Sequence, residues 1–250
     1  MRYYIVTGTS RGIGEGIARA LLSDTAVVFS IARHGNAGLE EASREAECRL
    51  EYIQCDLSDT GSLDKVMEDI FSKIDLSTAE GIYLVNNAGV LTPVGPAETN
   101  GLEETEHHLR VNLLAPMRLT AGFIKRTEGF SGRRVVAHIS SGAAKHPYFG
   151  WSCYCTGKAG LEMFTRVLGV EQQTAGNPVI VYTIDPGIVD TFMQAQIRAV
   201  EEGQFREKSK FVRYQEMGYL ADSLETGRKI AGTLDDPEIS TGGSISVRDR

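Results

Sequence analysis

The sequence has 250 residues, 42% of them hydrophobic, and a formal net charge of -7. That length suits one large α/β domain, and the composition is that of a globular protein. The acidic balance, with Lys and Arg dispersed, argues against a nucleic-acid or anionic-membrane surface, and no apolar stretch is long enough to span a bilayer.

The first strand signal, Tyr3-Tyr4-Ile5-Val6, begins too early for a signal peptide to precede it. It ends in glycine and leads into a helical pattern, Ile13, Ile17, Ala18, Leu21 and Leu22. A second strand follows at Ala26-Val27-Val28-Phe29-Ser30-Ile31 and a third at Glu51-Tyr52-Ile53-Gln54-Cys55. The alternation continues with a helix over Leu63–Phe71, a strand at Ile82–Val85 and a long helix around Glu103–Thr127. Then come a strand at Arg134–Ile139, a helix containing Tyr154–Glu171, a strand at Val179–Ile184 and a last strand at Ser244–Val247. Short apolar strands alternating with helices predict a parallel sheet covered on both faces, in one doubly wound α/β domain over 1–250. The segment 191–218 breaks the rhythm. Its scattered apolar residues Met193, Ile197, Phe205, Phe211 and Met217 fit either a substrate lid or a helix pair capping the core.

Cys48, Cys55, Cys153 and Cys155 read as reduced thiols of a cytoplasmic protein. Cys153-x-Cys155 is too tight for a redox or zinc pair and no His pair completes a site, so no metal is expected. His107 and His108 are adjacent on the long helix and point about 100° apart, which reads as a solvated face.

The turn Thr7-Gly8-Thr9-Ser10-Arg11-Gly12-Ile13-Gly14 sits between the first strand and the first helix. There Gly8 permits a sharp turn, Gly12 lets backbone approach a phosphate, and Gly14 allows close helix–sheet contact. The second strand ends Ile31-Ala32-Arg33-His34, with no acid before Glu40 to bind a ribose hydroxyl. Arg33, with Arg11, suits a ribose 2′-phosphate instead, so NADP(H) is the expected cofactor. Asp56 after the third strand is placed either to bond an adenine amino group or to cap a turn. Tyr154 and Lys158 lie one helical turn apart and share a face. A phenol beside an ammonium group is a proton donor and acceptor whose pKa is expected to fall towards neutral. A dinucleotide and an acid/base group in one cleft point to redox chemistry on a carbonyl or alcohol.

Thr7-Gly8-x-x-x-Gly12-x-Gly14, Asn86-Asn87-Ala88-Gly89, Asn112, Ser141, Tyr154-x-x-x-Lys158 and Pro186-Gly187 stand in this order along the chain. In that order and spacing the sequence resembles the classical short-chain dehydrogenase/reductases over essentially its whole length. The runs Val111–Met117, Ile139–Lys145, Pro147–Trp151 and Phe192–Arg198 are similar to the benzil-reductase branch, itself similar to sepiapterin reductases. The resemblance implies a Rossmann domain with Tyr154 as proton donor, Ser141 holding the substrate oxygen, Lys158 bonding the nicotinamide ribose, and Asn112 anchoring a water for reprotonation. It implies cofactor contacts from Gly8, Ser10, Arg11, Gly12, Ile13, Gly14, Arg33, Asp56, Leu57, Asn87, Ala88, Gly89, Asn112, Tyr154 and Lys158. The loop carrying Pro186, Gly187, Ile188, Val189 and Thr191 would face the nicotinamide. Tyr148, Trp151, Phe192 and Met193, with Ser141, are the expected substrate residues, although these aromatics suit packing the lid shut equally well. An aromatic 1,2-diketone such as benzil, reduced to (S)-benzoin, is the expected small-molecule carbonyl substrate. Sepiapterin or another small carbonyl is the alternative, and a non-catalytic NADPH sensor is the reading of another class. A homodimer or homotetramer is expected by resemblance.

Overall fold

The computed structural model describes residues 1–248. Seven strands form one sheet: β1 (Arg2–Thr7), β2 (Ala26–Ala32), β3 (Arg49–Gln54), β4 (Gly81–Asn86), β5 (Arg133–Ile139), β6 (Ile180–Asp185) and β7 (Ser244–Ser246). Their spatial order is β3-β2-β1-β4-β5-β6-β7, and every pairing is parallel. Parallel strands need crossovers and cover on both faces, which is why β1, β2 and β4 are apolar almost throughout. Chain order reverses between β1 and β4. Loops there leave in opposite directions and open a crevice at the carboxyl ends of the strands.

One face of the sheet packs Ile5, Phe29, Leu84 and Val136 against Met67, Phe123 and Leu168 of the helices α3 (Leu63–Phe71), α5 (Ala115–Arg126) and α6 (Ser152–Gln172). The other packs Val6, Val28, Val135 and Tyr182 against Ile17 and Ile230 of α1 (Gly12–Ala20) and α9 (Ser223–Thr233). No helix among the described residues is long and apolar enough to cross a membrane.

Two features depart from the sequence reading. Two helices had no signal in the pattern: α2 (Ala37–Glu45) is largely charged and buries only Leu39 and Ser43, and α9 carries no apolar stripe. The long helix is interrupted. After α4 (Leu102–Leu109) it rewinds into a π turn, Arg110–Leu114, before α5. Pro116 gives a reason, since it has no N–H to return to the carbonyl of Asn112 four residues earlier. The segment after β6 folds as α7 (Phe192–Ala199) and α8 (Lys208–Glu216), with Ile197, Phe205 and Phe211 buried against Trp151 and Tyr154.

α1 and α9 touch backbone to backbone. A Cβ at residue 16 would stand 2.5 Å from the Ser223 carbonyl oxygen, and one at residue 227 would collide with the main chain of Gly16 and Ile17. Glycine at both positions thus sets the seat of the helix that carries the glycine turn. Gly227→Ala is expected to cost about 2–3 kcal/mol, or roughly 5–10 °C in Tm. A thermal melt within a degree of wild type would disprove this close contact.

Candidate active site

A cleft of about 1010 Å³ opens at the crevice beside β1 and β4. Its floor begins with the glycine turn. Gly8 and Gly12 have positive φ, +74° and +62°, which a side chain rarely adopts. A Cβ at residue 14 would fall on the Gly8 carbonyl and the Asn87 amide. Asn87 explains the crowding: its Nδ2 donates to the carbonyls of Thr7 (2.9 Å) and Gly8 (3.3 Å). Thr7 Oγ1 in turn accepts the backbone N–H groups of Asn87 and Ala88, both at 3.0 Å. Arg11, the residue before α1, makes no side-chain cap, so the first N–H groups of that helix face the cleft without a side-chain partner. An uncapped helix start beside two left-handed glycines is a fit for pyrophosphate.

Arg33 and His34 line the part of the cleft beyond β2, with Ser10, Ile13, Asp56 and Leu57. Asp56 Oδ1 accepts the Ser58 N–H at 2.9 Å, and that bond holds its carboxyl below the usual range. It therefore caps a turn and lines the cleft at once. Arg33 has no carboxylate ion pair among the described residues, whereas the Arg11 guanidinium lies 4.1 Å over the exposed Phe192 ring. Ala88, Gly89, Pro186, Gly187, Ile188, Val189 and Thr191 complete the wall. Thr191 caps α7, its Oγ1 accepting Gln194 N–H, and its methyl faces Gly12.

Deeper in, Ser141, Tyr154 and Lys158 line the same cleft. Ser141 lies two residues beyond β5 and caps the short turn Gly142–Ala144, its Oγ accepting the Ala143 N–H at 3.2 Å. Lys158 is buried, and its Nζ donates to the Ile139 carbonyl at 2.7 Å. No carboxylate pairs with it among the described residues, and burial brings its pKa down to about 8. In the chain alone Tyr154 is shifted away from neutral. Burial, then the nearby Asp185 charge, pushes its phenol up to about 12, against a lowering hydrogen bond with Ser141. Lys158 Nζ is 5.8 Å from the Tyr154 ring centroid, so in the chain alone the phenol stays protonated at neutral pH.

Asn112 stands apart from the other predicted residues because it does not line the cleft. It is buried behind the wall, where Oδ1 accepts Val90 N–H at 2.8 Å and Nδ2 donates to Val90 O at 2.7 Å. The expected solvated His pair is also corrected. His107 lines the cleft mouth, but His108 is fully buried, bonded to Thr92 O and to Asn112. Its place four residues before Asn112 was the available signal, since i and i+4 share a helix face. His138, in β5 beneath the site, is kept neutral by burial and the Lys158 charge, with its pKa pushed down to about 3.

At the open end Tyr148, Trp151, Phe192 and Met193 line the cleft, as do Phe211 and Tyr214 of α8. Trp151, 4% exposed, stacks on Phe205 at 4.4 Å and meets Tyr154 at 5.3 Å and Phe211 at 5.6 Å. These aromatics wall the cleft and pin α7–α8 together, so the two expectations are not exclusive. Phe149 does neither and lies under Arg206. Arg248, near the chain end, packs against Gly187 and donates to Asp185 Oδ2 at 3.2 Å, a contact that no motif announced.

The unpaired Lys158 ammonium weakens the fold. Because its folded-state pKa lies below the value of a free lysine, 10.5, the penalty is full below about pH 8 and fades as pH rises towards 10.5. Lys158→Met should raise Tm by a few degrees at pH 7, about 1–3 kcal/mol, with a smaller gain at pH 10. A lower Tm at both pH values would contradict the uncompensated burial.

The family model described as short chain dehydrogenase matches residues 2–202. A benzil reductase ((S)-benzoin forming) of Bacillus cereus is 38% identical over 247 residues, covering 99% of each chain. A sepiapterin reductase of Mus musculus is 30% identical over 260 residues, covering 98% of this chain and 96% of that one. Among solved structures, the KRED1-Pglu enzyme superposes with a TM-score of 0.83 at 27% identity, over 98% of this chain and 100% of its own. The glycine turn, the Tyr154–Lys158 pair and the seven-stranded parallel sheet thus belong together for a reason of descent: the chain is a member of the short chain dehydrogenase family, a family of oxidoreductases.

Proposed function

We propose that the protein is an NADPH-dependent carbonyl reductase that converts an aromatic 1,2-diketone such as benzil to (S)-benzoin. The observation that carries this reading is the meeting, in one cleft, of an open glycine turn, a protonated buried phenol with Ser141 and Lys158, and an aromatic wall. When bound, the dinucleotide supplies a hydrogen with its electron pair to the carbonyl carbon. Ser141 holds the carbonyl oxygen and stabilises the charge growing on it. Tyr154, protonated at neutral pH, gives its phenolic proton to that oxygen. Lys158 favours the phenolate left behind, and its pKa of about 8 suits it to pass a proton back at working pH. Both amide hydrogens of Asn112 are committed to Val90 and His108. A water anchored there would therefore use the main-chain carbonyl that Pro116 leaves without an α-helical partner.

The carboxylates lining the cleft, among the described residues, are Asp56 and Asp185. Asp56 lies at the adenosine end, and Asp185 accepts both the Gly187 N–H (3.0 Å) and Arg248. A pterin's guanidine-like edge would have to displace Arg248, so an uncharged diketone fits better. The likeness to sepiapterin reductase keeps that small carbonyl as the second reading. In this reading α7–α8 is the lid, and pairing with a second copy would cover the exposed Met163, Val167 and Val170 stripe of α6. Cytoplasmic residence is part of the same proposal, supported by the four free thiols.

Tyr154→Phe should lower benzil-dependent NADPH oxidation at least a thousandfold while NADPH binding survives; robust turnover by this variant would sink the assignment. Arg33→Asp should weaken NADPH binding by about 2 kcal/mol or more and leave NADH nearly unchanged. Equal losses in a titration of both dinucleotides would remove Arg33 from the phosphate site.

A further inference from the structure

His108 is a buried imidazole that the reaction as derived above does not use. Its protonation state follows from hydrogen-bond bookkeeping. The Val90 N–H must be met by the Asn112 oxygen, and the Val90 carbonyl by the Asn112 nitrogen, at 2.8 and 2.7 Å. The amide orientation is therefore fixed by backbone. Its second N–H points at His108 Nε2, 2.8 Å away, so Nε2 has to accept. The proton then sits on Nδ1, which donates to the Thr92 carbonyl at 2.8 Å. One tautomer satisfies all four bonds.

The same ring stands edge-on to Tyr154, with centroids 6.1 Å apart, and its Nε2 would be 3.3 Å from a Cβ at residue 157. On the far side of the clamp, Asn112 Oδ1 lies 3.2 Å from the Cβ position of residue 89, in the cleft wall. We propose that His108 is a positioning residue: its neutral Nδ1–H imidazole locks Asn112, and through Val90 the Asn87–Val90 wall of the cleft, so that protonation of His108 loosens dinucleotide binding at acid pH. This rests on the reading of the cleft as a dinucleotide site.

Protonation would put an N–H on Nε2 facing the N–H of Asn112. One of the two must turn away, and turning Asn112 breaks both bonds to Val90. The groups facing His108 are Tyr154, Lys158 and the Cys153 backbone from α6, His107 from its own helix, and Thr92 from the loop after β4. Burial leads, and the Lys158 and His107 charges add to it, in holding the His108 pKa below the usual imidazole value against the Thr92 bond. Above that lowered pKa the clamp is intact; it fails as pH falls through it.

The decisive variant is His108→Gln, whose amide oxygen can accept from Asn112 but does not titrate in this range. NADPH affinity of the wild-type chain, read from quenching of its single tryptophan, should fall about three- to tenfold more than that of His108→Gln between about pH 7.5 and pH 5. At pH 7.5 the two should agree within about twofold. The 2′-phosphate of NADPH titrates alike in both proteins, so the difference between profiles reports on residue 108. In the wild-type chain without dinucleotide, ¹⁵N spectra should show His108 protonated on Nδ1. Superimposable pH profiles, or an Nε2–H tautomer, would overturn the proposal. The tautomer is read without ligand, so it decides the matter even if His108→Gln does not fold. A wild-type chain that carries the Nδ1–H tautomer yet binds no NADPH at any pH overturns both the cleft reading and the link to binding.

Discussion

The site depends on how closely β1 and β4 are held where chain order reverses. Asn87 reaches across the crevice to two carbonyls of the β1 turn, and Thr7 returns its hydroxyl oxygen to two N–H groups of the β4 loop. This reciprocal clamp leaves no room for a side chain at residue 14, and it sets the direction in which α1 leaves the sheet. From the same β4 loop a second clamp runs outward, Val90 to Asn112 to His108. The cleft wall and the helices behind Tyr154 are thus tied to one short stretch of backbone.

Against that rigid frame stands a deliberate electrostatic imbalance. Lys158 is a buried cation with a carbonyl for a partner, and Tyr154 is a buried phenol held in its protonated form. Burial opposes the charge on Lys158 and favours the neutral form of Tyr154, so desolvation lowers the first pKa and raises the second. In the chain alone desolvation is the largest influence on the phenol, and it acts against ionisation. Burial first, and the Lys158 charge after it, lower the pKa of His138 and of His108.

The α7–α8 segment shows how one set of side chains can hold a wall and a helix pair together. Trp151 is the common member: it packs on Tyr154 on one side and stacks with Phe205 on the other. Motion of α7–α8 would therefore be felt at the phenol through one indole, whereas Phe192, 53% exposed, lies under the Arg11 guanidinium at the mouth.

Much of this was legible in the residues. The strand–helix alternation, the parallel sheet, the glycine turn and the Tyr154–Lys158 spacing are local patterns, fixed by backbone sterics and by periods of two and 3.6 residues. They placed all seven strands within a few residues of where they lie. α9 escaped because it packs through Gly227 on Gly16, a contact made by the lack of a side chain and invisible to a hydrophobic pattern. His108 escaped because solvent exposure of a helix face is decided by what packs on it, here α6 and the loop at Thr92. Asn112 was found as a residue but not as a place: the π turn carries it behind the cleft wall. The sequence alone determined which groups the site contains, because their chemistry and spacing are covalent facts. Tertiary structure alone decided which of them are desolvated, paired or left charged, because burial depends on neighbours far along the chain.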